Sequence, residues 1–430
     1  MHYRSDDVRC TSSSTGHGEP GKSVSQRHVR YNFTDLGTLG GTFSEAVGIN
    51  NKGWIAGSST TPSDQVIHAA LWRNGKLLDL GTLGGPNSVA PEADPQPNAR
   101  GEVAGNSDTI TPDPNGEDFC GFGTHLICLP FVWNNGNMTA LPTLGGNNGQ
   151  TWQVSNNGEV AGTAETAAAD PSCNVLELET EPVIWENGQP QQLPTVSGDL
   201  DGAAQDINDH EQAVGLTGNC VADFPNTIFH AVLWQRAGST WTATQLPSLG
   251  GTVLNVAFSI NDRGQIAGQT ALPGNTGFHA VIWEDGGVKD LGTLPGDAVS
   301  RIETINNHSE AVGTSFDAAG NMHPFVWRNG TMTNLNAFLS PNSLWLILEA
   351  LGNNDREQIV GFAMNNSTGE VHGYVLTPCG ENESVSCDES TSTLSASVPP
   401  KPRAPMPVGL QRRMSRFHPL PFLLEQENLP

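Results

Sequence analysis

The 430-residue sequence predicts an all-β fold, a seven-bladed β-propeller of four-stranded blades closed by its own N-terminal strand. Three observations predict it: a composition made for turns, three short motifs that each recur seven times, and complementary half-units at the two ends of the array. With 49 Gly, 29 Pro and only 15% charged residues, the chain is poor in the Lys, Glu and Leu that amphipathic helices use. The hydrophobic fraction is a low 36%, yet Trp (10) and Phe (15) recur at regular intervals, which describes a core of many thin, similar layers rather than a disordered chain.

The first motif is DLGTLGG at 35–41 and again at 79–85, degenerating through ALPTLGG, QLPTVSG, QLPSLGG and DLGTLPG to NLNAFLS at 334–340. The second is INNKGWIAG at 49–57 and INDRGQIAG at 260–268, with weaker copies ending at Gly105, Gly162, Gly215, Gly313 and Gly361. The third is HAALW at 68–72, with relatives ending at Trp133, Trp185, Trp234, Trp283, Trp327 and, without the Trp, Leu376; the spacings are 61, 52, 49, 49, 44 and 49 residues. A period of that size fits four short strands and is too long for a helical solenoid unit. In the first full unit the strands are expected at Ala46 to Asn50, Trp54 to Ser58, Ala69 to Arg73 and Lys76 to Leu80. The Asn74-Gly75 pair between the last two calls for a two-residue type I′ hairpin, because both central positions need positive φ. Asn135-Gly136, Asn187-Gly188, Asp285-Gly286 and Asn329-Gly330 repeat it at the same offset.

The array opens on a fourth strand, Tyr31 to Gly41, with no preceding three, and ends on a third strand, HGYVL at 372–376, whose fourth is missing. Pairing the two ends completes the last blade and leaves no long edge open. The expected organisation is therefore residues 1–30 as a disordered leader, 31–378 as the propeller and 379–430 as a disordered Ser/Pro-rich, basic tail with a short apolar end at 419–424.

Taken together these motifs resemble the repeats of the bacterial HAF family, repeat proteins predicted to be extracellular. The resemblance covers about residues 31–376 and implies repeated β structure and an extracellular or cell-surface setting, with no agreed activity. The chain departs from the pattern where Leu129 and Glu181 replace the third-motif His, and where the last unit lacks its Trp.

Residues 31–378 carry 10 Lys and Arg against 36 Asp and Glu. Such a surface repels nucleic acid and anionic lipid and suits solubility, cations or basic partners. No apolar run is long enough to span a membrane, and the N-terminus shows no signal-peptide core.

His68, His230, His279, His323 and His372 open the third strand of five units, and equivalent positions around a ring are too far apart to share a metal, so each is expected to bond a neighbouring loop. The ladder tryptophans Trp72, Trp133, Trp185, Trp234, Trp283 and Trp327 are expected as core wedges between blades rather than sugar platforms. Nucleotide loops, nucleophile elbows, zinc-protease pairs and C-x-x-C are all absent. The acidic run Asp113, Asn115, Glu117 and Asp118 in the longest insertion is a weak calcium site, lacking EF-hand spacing; Asp199 and Asp201 are no stronger, and no cofactor is expected. Seven cysteines suggest disulfides Cys120 to Cys128, Cys173 to Cys220 and Cys379 to Cys387 with Cys10 left over, an arrangement that belongs outside the cell.

The expectation from these residues is a monomeric, non-catalytic binding or scaffold propeller, not an enzyme, holding a protein or glycan on its variable loops. The alternative is a propeller hydrolase or lyase that attacks polysaccharide with acidic residues at the channel mouth. Converging carboxylates of raised pKa would favour the enzyme.

Overall fold

In the computed structural model, which describes residues 30–91, 96–196, 198–220 and 228–379, seven four-stranded antiparallel sheets follow one another around a ring. The first full blade runs Ser44–Ile49, Ile55–Thr60, Ile67–Arg73 and Lys76–Asp79, each strand within two or three residues of its expected place. The closing blade takes Trp345–Asn353, Ile359–Asn365 and Val371–Pro378 from the end of the array and Tyr31–Asp35 from its start. The register runs from Tyr31 opposite Pro378 to Asp35 opposite Tyr374. This is the predicted closure. It is reinforced where the last blade meets the first, by Gly373 N–H to the Ser44 hydroxyl at 2.9 Å and Val371 N–H to the Thr42 carbonyl at 3.1 Å.

The five Asn-Gly or Asp-Gly turns have positive φ at both positions, 54° and 71° at Asn74 and Gly75 for example. The glycines that end the second motif have another purpose. Strand one bulges opposite each of them, and a Cβ on Gly57, Gly162, Gly215, Gly268, Gly313 or Gly361 would strike the strand-one carbonyl across the pair. All six ladder tryptophans are buried, and the indole N–H of Trp72, Trp185, Trp234 and Trp283 donates to the carbonyl of Leu36, Pro142, Pro194 and Pro247 in the preceding blade. They are core wedges, four of them with their one polar atom satisfied.

Strand alternation places the connections between strands two and three, and from four to the next one, on one face; we call it the loop face. The tight turns between strands one and two and between three and four occupy the other, the turn face. Cys120 bonds Cys128 within the long insertion, and Cys173 bonds Cys220 across two blades. Cys379 is also disulfide-bonded, whereas Cys10 and Cys387 lie outside the described residues, as do the leader and tail. No helix among the described residues is long and apolar enough to cross a membrane.

Candidate functional site

The asparagine that closes each I-N motif builds the mouth of the central channel on the turn face. Its side-chain oxygen accepts the N–H groups two and four residues on, as Asn261 does from Arg263 and Gln265, which shapes the turn between strands one and two. Its amide then reaches the next blade. Asn208 donates to the Asn261 carbonyl at 3.0 Å, Asn261 to Asn306 at 2.9 Å, Asn306 to Asn354 at 3.0 Å and Asn354 to Asn50 at 2.9 Å, so the belt crosses the seam between the last and first blades. Asn98 continues it to the Ser155 carbonyl at 3.1 Å. Only the third blade interrupts it, with Ser155 in the asparagine position.

The next residue of each motif forms an outer circle of amides and carboxylates. Asp209 accepts the backbone and side-chain N–H groups of Asn156 at 3.0 and 2.8 Å; Asp355 accepts those of Asn307 at 2.9 and 3.3 Å and the Asn51 amide at 2.8 Å. Asp262 accepts from the Asn307 amide at 3.2 Å. These side chains surround a cavity of about 250 Å³, into which the buried Asp206 of strand one also faces. Burial raises the Asp206 carboxyl to about 6, and the nearby Asp262 charge adds to the shift, against N–H groups of Ile260 and Ile207 that favour the ionised form. The cavity thus pairs a buried carboxyl of raised pKa with an open rim of carboxylates and amides.

A second set of carboxylates lies on the loop face. Asp113, Glu117 and Glu165 converge on the side-chain amide of Asn148 at 2.8, 3.2 and 3.2 Å. Glu117 is raised to about 7 by burial and then by Glu165 and Asp113, despite the bond it accepts from the Glu177 N–H. On the same face, Asp201 is raised to about 6 by burial and Asp170. These groups are almost wholly buried and hold loop backbone, as Asp201 does with the N–H groups of Thr180 and Cys220. Of the acidic run singled out in the sequence, Asp113 and Glu117 meet there. Asn115 only gives its N–H to Asp113, and Asp118 turns away to the Gly123 N–H. Among the described residues no group of His, Cys, Asp or Glu is arranged to hold a metal ion.

Two of the five histidines bond a neighbouring loop, as expected of all five, and three bond the end of strand four in their own blade instead. His68, His279 and His372 meet Asp79, Asp290 and Asp35, the acids that open the first motif, at 2.9 Å. His230 and His323, whose units lack that acid, turn instead to Asp199 and Asp297 at 2.8 Å. Sequence reasoning missed this pairing, although a signal existed. The two units that lose the histidine also lose the acid: Leu129 goes with Ala140, and Glu181 with Gln192, which it hydrogen-bonds. It missed Asp206 too, because nothing in a single Asp reveals that it will be buried at a channel.

No family model matches the chain, and no curated protein matches it. Solved structures do. The β-propeller domain of the trilobed protease of Pyrococcus furiosus is 9% identical over 79% of this chain and 99% of that one, with a TM-score of 0.46. An acylaminoacyl peptidase of Pyrococcus horikoshii is 12% identical over 80% of this chain, TM-score 0.47, and a gluconolactonase of Xanthomonas campestris 10% over 65% of this chain and 83% of that one, TM-score 0.34. The chain spans about half of that peptidase, 53%. At this distance the likeness is one of fold and says nothing of substrate. The expectation of a non-catalytic scaffold, not an enzyme, is nevertheless corrected: the solved propellers it resembles are by name peptidases and gluconolactonases. Of the feature that separates the two readings, converging carboxylates of raised pKa, the channel mouth holds one raised carboxyl, Asp206, beside the rim aspartates.

Proposed function

We propose that the protein is an extracellular hydrolase of polysaccharide that works at the channel mouth. The observation that carries this reading is the cavity shared by Asp206, held near pKa 6, and the rim carboxylates Asp209, Asp262 and Asp355. Glycoside hydrolysis needs two carboxyl groups in opposite protonation states. Asp206 gives its proton to the leaving oxygen as the glycosidic bond breaks, and a rim aspartate takes a proton from the water that adds. The amides of Asn51, Asn156 and Asn307 supply the donors that sugar hydroxyls need, and the disulfides support the extracellular setting.

Release of reducing ends from a panel of neutral, amino and uronic-acid polysaccharides tests the reading. Activity is expected below pH 6, falling as pH rises through about 6 when Asp206 loses its proton. Asp206→Asn is expected to lower the rate roughly a hundredfold or more. No release from any polysaccharide, or an Asp206→Asn variant as fast as the parent, would overturn it.

A further inference from the structure

Charge and apolar surface are segregated between the two faces of the ring. Lys52, Arg100, Arg263 and Arg356 sit in the turns between strands one and two, and Arg73, Lys76, Arg236 and Arg328 flank those between three and four. Lys289 lies on a fourth strand just past its turn, Arg30 stands at the turn end just before Tyr31, where its carbonyl accepts the Cys379 N–H, and Arg301 is buried on a first strand. Among the described residues the loop face therefore has no Lys or Arg, while Asp79, Asp118, Glu177, Asp290 and Glu370 all stand on it. Burial raises Asp108, Glu117, Glu181 and Asp201 on this face, and no Lys or Arg stands close enough to offset it. A second, independent asymmetry coincides with the first. Every exposed large hydrophobic side chain among the described residues, Ile110, Val175, Leu200, Ile228, Leu344 and Leu346, belongs to the loop face as well. A face both acidic and apolar calls for an occupant that is basic and apolar.

The chain contains such a segment. Residues 401–416 hold Lys401, Arg403, Arg412, Arg413 and Arg416 with no Asp or Glu, and after Phe417 and His418 comes the apolar run Pro419, Leu420, Pro421, Phe422, Leu423 and Leu424. We propose that residues 401–424 dock on the loop face of their own ring, the arginines against its carboxylates and Phe422 to Leu424 against its exposed aliphatic side chains. The last strand delivers the chain to the opposite face, since Pro378 pairs with Tyr31 at the turn end. The 22 residues 379–400 extend to about 70 Å at ~3.3 Å each, whereas a strand of 8 residues such as Val371–Pro378 is about 26 Å long, so the segment clears the rim. Such a docked tail covers the face away from the channel mouth, so its occupancy is independent of the hydrolase reading.

Zero-length carbodiimide crosslinking of the full chain tests it, because the tail has a single lysine and Lys52, Lys76 and Lys289 belong to the other face or its side of the blade. We expect intrachain links from Lys401 to loop-face acids such as Asp118, Glu177, Asp317 or Glu370. Their yield should fall at least tenfold in a variant carrying Arg412→Glu, Arg413→Glu and Arg416→Glu, and in one carrying Phe422→Ser, Leu423→Ser and Leu424→Ser. Both sets of changes lie outside the blades, so folding is not at stake. Links only to turn-face acids such as Asp285 or Glu357, links only between chains, no links, or variants that link as well as the parent would each overturn the proposal.

Discussion

A single asparagine per blade ties each tight turn to the neighbouring blade, and the one place it is missing makes a measurable prediction. Ser155 accepts the Glu159 N–H at 3.2 Å but has no amide to send to the fourth blade. Ser155→Asn should restore both the turn bonds and the bridge to the Asn208 carbonyl, raising stability by roughly 0.5–2 kcal/mol, as consensus substitutions in repeats commonly do. A denaturant titration checks it; an unchanged midpoint would mean that the Asp209 contacts with Asn156 already hold this junction. At this scale the sequence was half legible. The turn could be read from I-N-N-x-G, since its bonds are local, but the bridge could not, since its partner carbonyl lies about fifty residues away on another blade. The His and Asp pair stayed hidden for the same reason, until the joint loss at Leu129 with Ala140 and Glu181 with Gln192 is noticed.

The decisive element is the strand Tyr31–Asp35. Its role was legible because a ladder beginning with a fourth strand and ending with a third has one economical pairing. Deleting residues 1–37 would leave Val371–Pro378 as a bare edge, His372 without Asp35 and the Trp72 indole without the Leu36 carbonyl. Stability should fall by several kcal/mol, or roughly 10 °C in melting temperature for a domain of this size, read by thermal denaturation. The long insertion was legible in part. Its Cys120 to Cys128 bridge followed from proximity in sequence. The convergence of Asp113 and Glu117 with Glu165 of the next blade did not, because that contact depends on how two loops stack.

Over the whole molecule, buried carboxyls with raised pKa set the response to pH. Asp108, Asp201 and Asp206 are near 6, and Glu117 and Glu181 near 7, all above their unfolded values. Between about pH 4 and 7 the folded protein therefore binds more protons than the unfolded chain, and stability must fall as pH rises through that window. The contribution of these groups is complete below their unfolded pKa and lost above about 7. Melting temperature should be higher at pH 5 than at pH 8, by calorimetry at constant ionic strength; the opposite order would mean that these carboxyls are ionised in the folded state. Composition announced the acidity of the chain but not this behaviour, which depends on which acids the fold takes out of water.

The blade shared by the two chain ends also fixes an order of events during synthesis. Asp35 and its partner His372 are separated by 337 residues. At about 5–20 residues per second a ribosome needs roughly 20 to 70 s to travel from one to the other. For all that time the earliest strand is finished and has nothing to pair with, so Tyr31 and Phe33 wait in water with a free backbone edge. Six blades can stack as they emerge; the seventh waits for Val371–Pro378. A nascent chain that stalls late exposes that edge and is the species expected to need a chaperone.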